Sequence, residues 1–180
     1  LTRARRLLPD EDPSAAAESA LLCLDKGDLE GATQHIDAAS IRGEGAIVSY
    51  VRGNIAARQG HLRSALTYFD EAIEIDPTHV RARLNRTSIY MANEEGQAAL
   101  DDANVLLELA PGLALAKLRK AEANMMLSNW EEAKDDLEQI VEDSPHHHHA
   151  LTQLASCFMA MDRPEKAEAP LNEALRLAPE

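Results

Sequence analysis

Aromatic residues are nearly missing. One tryptophan, three tyrosines and two phenylalanines make up 3% of 180 residues. A core with so few rings has to be filled by aliphatic side chains at close range, and alanine and leucine supply them. Hydrophobic residues still reach 45%, which argues against global disorder. Only two cysteines occur, Cys23 and Cys157. They fall in the first and last repeat units described below, so a bridge between them is unexpected, and both read as small core residues. Positive charge is scarce as well. Eighteen Lys and Arg face 31 Asp and Glu, and the net charge of −13 weighs against a nucleic-acid partner, because phosphate recognition rests on dense Lys and Arg. No apolar run reaches the roughly 18 residues that a membrane-spanning helix needs. Catalytic signatures are missing too: there is no phosphate-cradling glycine loop, no HExxH and no GxSxG. The pairs Asp101–Asp102 and Asp135–Asp136 read as solvated helix faces rather than acid–base dyads. Neither an enzyme nor a cofactor is expected.

What is present is a period. Pro77, Pro111, Pro145 and Pro179 lie 34 residues apart. Twelve residues before each proline stands an alanine, Ala65, Ala99, Ala133 and Ala167, and Ala32 extends the series backward with a step of 33. Between alanine and proline, spacings of three and four, as in Ala65, Phe69, Ala72 and Ile73, draw one apolar stripe of a helix. A second apolar helix precedes each alanine. Short polar turns join the two, Lys26-Gly27-Asp28, Gln59-Gly60-His61, Asn93-Glu94-Glu95, Ser128-Asn129 and Asp162-Arg163-Pro164. Each unit is therefore helix A, tight turn, helix B and a proline that ends it. A single hairpin cannot bury its own apolar face, so neighbours must stack.

With those residues in view, the chain resembles the tetratricopeptide repeat family. Gly53, Gly60, Ala65, Phe69, Ala72 and Pro77 match the family pattern in one unit, and Ala155, Phe158, Ala167, Ala174 and Pro179 match it in another. The third and fourth complete repeats are weaker, carrying Ala103, Leu106, Leu137 and Ile140 at positions where the family favours an aromatic residue and alanine. The resemblance implies an all-α, right-handed α-solenoid of stacked antiparallel hairpins forming one continuous domain. Its parts are a remnant helix B at 1–11 (with Ala4 and Pro9), then repeats at 12–45, 46–79, 80–113, 114–147 and 148–180. The chain is expected to be a piece of a longer array.

In this family, A helices line a concave channel and B helices the outer side. The A helices of the three central repeats hold Arg52, Arg58, Arg81, Arg83, Arg86, Lys117, Arg119 and Lys120 against Glu122, whereas the B helices hold most of the acid. A basic inner strip would attract an acidic segment or a chain-terminal carboxylate. Arg52, Arg86 and Lys120 recur at one repeat position and read as structural, with Asp102 and Asp136 placed to pair with Arg86 and Lys120. Arg58, Arg81 and Arg119 are expected to face the channel. Of the five positions with which some family members clamp a partner's terminal carboxylate, Asn54, Asn85 and Arg119 match. Tyr50 and Leu115 replace the two lysines and offer apolar contact instead. Leu84, Met91, Leu115, Leu118, Met125, Met126 and Met159 are expected to face or flank the same channel, methionine being a flexible surface for an apolar helix or peptide.

The expected function is a scaffold for protein–protein interaction that binds an acidic-apolar peptide or partner helix in a groove of mixed character. Its contacts would be Asn54, Arg58, Arg81, Leu84, Asn85, Met91, Leu115, Arg119 and Met126. Two alternatives stand beside it. One is a structural segment that self-associates through uncapped ends; the other is an accessory region of an enzyme or of an envelope or export complex. In the run His146–His149 only the two outer histidines, three apart, can share a helix face, and no third ligand completes a metal site.

Overall fold

The computed structural model describes residues 13–40 and 45–178. The remnant helix expected at residues 1–11 and the last proline of the series, Pro179, lie outside the described residues. Among the described residues the regular elements are ten α-helices: α1 Pro13–Asp25, α2 Leu29–Ser40, α3 Ala46–Arg58, α4 Leu62–Ile75, α5 Val80–Ala92, α6 Gly96–Leu109, α7 Ala114–Met126, α8 Trp130–Asp143, α9 His148–Ala160 and α10 Pro164–Leu177. Two compact units, Leu1–Ile89 and Tyr90–Glu180, divide the chain, with the boundary inside α5. In the first unit α1 pairs with α2 and α3 with α4, and α3 also packs on α1 and α2. In the second, α7 pairs with α8 and α9 with α10, while α6 packs on α7 and α8 on α9.

The five tight turns share one hydrogen-bond scheme. The amides of Asp28, His61, Glu95, Asn129 and Arg163 each donate five residues back, to Cys23, Ala56, Tyr90, Asn124 and Phe158, at 2.8–2.9 Å. The residue before each donates three back, as Gly60 does to Ala57 O at 3.0 Å. This double bond closes the last carbonyls of helix A and forces one residue into the left-handed region. Gly27 and Gly60 occupy that place at φ 77° and 78°, but Glu94, Ser128 and Asp162 occupy it at 61°, 62° and 58°. An L-residue there suffers a clash between Cβ and the backbone that glycine avoids. Replacing Ser128 with glycine should therefore raise stability by about 0.5–1 kcal/mol, because the relief exceeds the entropy glycine adds to the unfolded chain. Chemical denaturation checks it, and a loss of stability would show that the turn is unstrained.

Small residues decide how closely the helices approach. Ala65, Ala99, Ala133 and Ala167, the first fixed points of the repeat, are buried in every hairpin. In the first unit a Cβ on Gly53 would meet the Phe69 ring, 2.6 Å from Cδ1, so only glycine lets α3 lie against this fully buried phenylalanine. Val48, Val51 and Ile55 complete that core with Ala72 and Ile73. In the second unit Leu118, Leu137, Ile140, Leu154 and Phe158 fill the corresponding space. Asp76 ends α4, and its carboxylate accepts from the Thr78 amide at 3.0 Å and the Thr78 hydroxyl at 2.7 Å. Those bonds hold its carboxyl below the usual range. The Nδ1 atoms of His79 and His147 accept the amides of Ala82 and Ala150, at 3.1 and 3.2 Å, and so cap the starts of α5 and α9.

Candidate functional site

In the first unit the two expected asparagines engage each other. Asn54 Nδ2 donates to its own helix at Tyr50 O, 3.1 Å away, and its Oδ1 accepts from Asn85 Nδ2 at 2.6 Å. They form a short side-chain ladder between α3 and α5, with part of their hydrogen-bonding capacity already used. Arg58 and Arg81 are exposed and Leu84 is half-buried, leaving both guanidinium groups accessible. Tyr50 departs from expectation. It is buried, its ring 6.2 Å from that of Phe69 and 4.9 Å from that of His79, so it belongs to the core and offers no open apolar contact. Burial also takes Arg83 out of the basic strip; its Nη2 donates to Pro77 O at 3.3 Å. Arg52 lies over the Tyr68 ring at 5.8 Å, and Arg86 reaches Asp70 on α4 at 2.6 Å. Such packing with paired charges fits the structural reading of that repeat position.

The second unit brings the remaining residues into sharper relation. Met91, Met125, Met126 and Trp130 line a shallow, open hollow on the surface, and Arg119, Glu122 and Gln153 supply its polar edge. Met91, Arg119 and Met126 therefore share one space. Leu115 is exposed on α7 but does not line it, and Leu118 is buried in the core rather than facing outward. Glu122 organises the polar edge. Its Oε2 accepts from Arg119 Nη1 at 2.7 Å, and its Oε1 accepts from Gln153 Nε2 at 3.1 Å and lies 3.0 Å from His149 Nε2. The Arg119 side chain is 28% exposed, so part of its guanidinium faces solvent at this edge. Lys120 pairs with Asp136 at 2.7 Å, as its repeat position implied.

The histidine run is divided among separate jobs. His146 lies 3.7 Å from Glu173 on α10, His147 caps α9, and His149 joins Glu122 on α7. Among the described residues no group of three or more His, Cys, Asp or Glu side chains gathers around a common point. Both cysteines are free, Cys23 half-buried rather than fully enclosed and Cys157 buried. Burial pushes the Cys157 thiol up to about 11, which keeps it protonated and a poor nucleophile. No helix among the described residues is long and apolar enough to cross a membrane.

Trp130 and Gln153 are the contributors to this surface that spacing did not single out. Trp130 opens α8 and reads as an ordinary helix-B residue, while Gln153 carries no charge and matches no motif. The lone tryptophan in a chain so poor in rings was the available signal.

Stacked hairpins of this kind define a helical-repeat protein. Sequence-family profiles described as "Tetratricopeptide repeat" match residues 50–114 and 124–180, and the chain belongs to that family. A curated relative, Protein STIP1 homolog from Dictyostelium discoideum, is 34% identical over 87 residues, which is 48% of this chain and 15% of that protein. The chain thus spans less than a fifth of that relative's length. MamA from Desulfovibrio magneticus RS-1 superposes with a TM-score of 0.83 at 18% identity, covering 92% of this chain and 94% of the other. YrrB, a tetratricopeptide protein with an unusual peptide-binding site, gives 0.82 at 19% identity over 94% and 88%. These two structures share the fold. The family assignment makes the chain a protein-interaction scaffold, with another protein or a peptide as its partner.

Proposed function

We propose that the chain holds a peptide or partner helix of mixed acidic and apolar character. Its apolar side chains would enter the methionine-lined hollow of the second unit, and its carboxylates or carbonyls would meet Arg119. In the first unit Arg58, Arg81 and Leu84 would supply a similar mixed surface, and the Asn54–Asn85 ladder would keep spare donors and acceptors for a peptide backbone. Leu115, exposed on α7, would extend the apolar surface. The observation that carries this reading is the partly exposed Arg119 guanidinium beside an apolar surface formed by Met91, Met125 and Met126. Methionine side chains adapt to a range of apolar shapes, which suits a surface that grips a segment rather than one rigid ligand. The peptide-binding site named for YrrB, on a similar fold, is consistent with it.

The test is capture of partners by the purified chain beside Arg81→Glu/Arg119→Glu, with affinities for the captured segment measured by fluorescence anisotropy. Reversing two charges that face an acidic partner should weaken binding at least about tenfold, or roughly 1.4 kcal/mol. The circular dichroism of the folded chain should be unchanged. Equal affinity in both proteins would rule out a basic anchoring role for these arginines and turn attention to the acidic B helices.

A further inference from the structure

Two steps of the 34-residue repeat carry Asn54, Asn85 and Arg81 of the first unit onto Glu122, Gln153 and His149 of the second. The corresponding pairs meet in the same way, Asn85 with Asn54 at 2.6 Å and Gln153 with Glu122 at 3.1 Å. The third members differ in chemistry. Arg81 is exposed, and the side chain of His149 is 48% exposed. A guanidinium keeps its charge at any ordinary pH, while an imidazole gains one only toward acid. The place that is basic at all times in the first unit is therefore basic on condition in the second.

One ring nitrogen of His149 faces two incompatible neighbours. Its Nε2 lies 2.9 Å from Gln153 Nε2, which can only donate, and 3.0 Å from Glu122 Oε1, which accepts as a carboxylate. A bare Nε2 accepts from Gln153 and sets its lone pair against the carboxylate. A protonated Nε2 donates to Glu122 and turns the Gln153 amide away. The two arrangements also differ in charge. With a neutral ring, Arg119 and Glu122 cancel, Nη1 and Oε2 lying 2.7 Å apart. With an imidazolium the three groups carry one net positive charge. Glu122 then divides its oxygens between two cations, and more of the field of Arg119 is left to a ligand. Among the described residues no carboxylate of α8 or α10 comes within ion-pair distance of His149, whose ion pair is with Glu122 on α7. On α8 Asp136 and Asp143 are taken by Lys120 and Lys117, and Glu131 by Lys134 and by Arg163 at the start of α10. On α10 Glu173 is taken by Arg176 and His146, and on α9 itself His147 caps the helix and His148 is exposed.

We propose that His149 is a further residue of the binding edge and that it couples capture of an acidic segment to uptake of a proton. This coupling rests on the methionine-lined hollow being the partner's seat, as argued above. Protonated His149 holds Glu122, and the imidazolium and Arg119 together then face the partner's carboxylates, as Arg81 does alone in the first unit. Linkage gives the converse: a bound acidic segment favours the charged ring, so binding takes up a proton wherever the ring of the free chain is neutral. The sign is fixed by the charges. Affinity for an acidic segment rises as pH falls.

The probe is a rhodamine-labelled synthetic helix with leucine along one face and glutamate along the other. Its affinity is read by fluorescence anisotropy at about pH 8 and about pH 6, a range in which its glutamates stay ionised. The parent chain should bind it about three- to tenfold more tightly at the lower pH, the effect of one added charge at a partly exposed site. His149→Gln should bind it equally at both, and His149→Lys should bind it tightly at both. The other three histidines of the run remain in these variants, so the difference belongs to His149. Calorimetry in two buffers of unlike ionisation heat should show proton uptake by the parent on binding, and none by His149→Gln. Position 149 is exposed, and circular dichroism confirms that each variant is folded. An affinity that does not change with pH, or a pH dependence that His149→Gln keeps in full, overturns the coupling and leaves the seat standing. A probe that the parent binds at neither pH overturns both.

Discussion

Phe69→Ala should lower the free energy of unfolding by about 3–5 kcal/mol, the cost of emptying a large, fully enclosed site. Phe69 is 0% exposed, the largest of the completely buried side chains, and its ring fills the space left by Gly53. The reciprocal change has a smaller effect of the same sign. Gly53→Ala pushes a methyl into the ring and should cost about 1–3 kcal/mol through overpacking. Combining Gly53→Ala with Phe69→Leu should lose less than the sum of the two single changes, since the smaller side chain makes room for the methyl. Urea denaturation followed by helical circular dichroism gives all four values. A Phe69→Ala loss below about 1 kcal/mol would mean that the approach of α3 to α4 is not set by this pair.

Glu122→Ala should cost about 2–3 kcal/mol, because it strips acceptors from several donors at once. The Glu122 side chain is 11% exposed and contacts Arg119, His149 and Gln153. After the change Arg119 Nη1 would lose its carboxylate acceptor. For a chain of this size the loss corresponds to about 4–12 °C in melting temperature. Replacing both partners, Arg119→Met with Glu122→Leu, should recover most of it, since two apolar side chains leave no unpaired charge. Differential scanning calorimetry distinguishes the cases. If Glu122→Ala melts with the parent chain, the polar edge contributes nothing to holding α7 against α9.

Helix spacing was legible in the sequence because it depends on local chemistry. The alanines at 65, 99, 133 and 167 and the prolines beyond them mark surfaces that must be small or must stop a helix, and those demands recur in the last four hairpins. The pairing of Lys120 with Asp136 followed from the same register, both residues lying in one hairpin. Side-chain direction at the site was less legible. Tyr50 and Leu118 sit at positions that look outward by spacing, yet their bulk draws them into the core against Phe69 and Leu137. Arg83 is buried for a related reason, since its guanidinium finds the Pro77 carbonyl across the turn. The hollow in the second unit depends on Trp130 and Gln153, which come from different hairpins and share no motif with Arg119. A period in sequence reports what each hairpin needs in order to stack, and it is silent on which leftover side chains meet in space.

The turns also distribute strain unevenly. Both glycines in the left-handed position, Gly27 and Gly60, belong to the first unit, and the three side-chain-bearing substitutes, Glu94, Ser128 and Asp162, belong to the second. At about 1 kcal/mol each, those substitutes leave the second unit on the order of 3 kcal/mol nearer to local opening than relaxed turns would. Local strain at the turns is thus a property of the second unit, and glycine at Glu94, Ser128 and Asp162 should stabilise that unit while leaving the first unchanged.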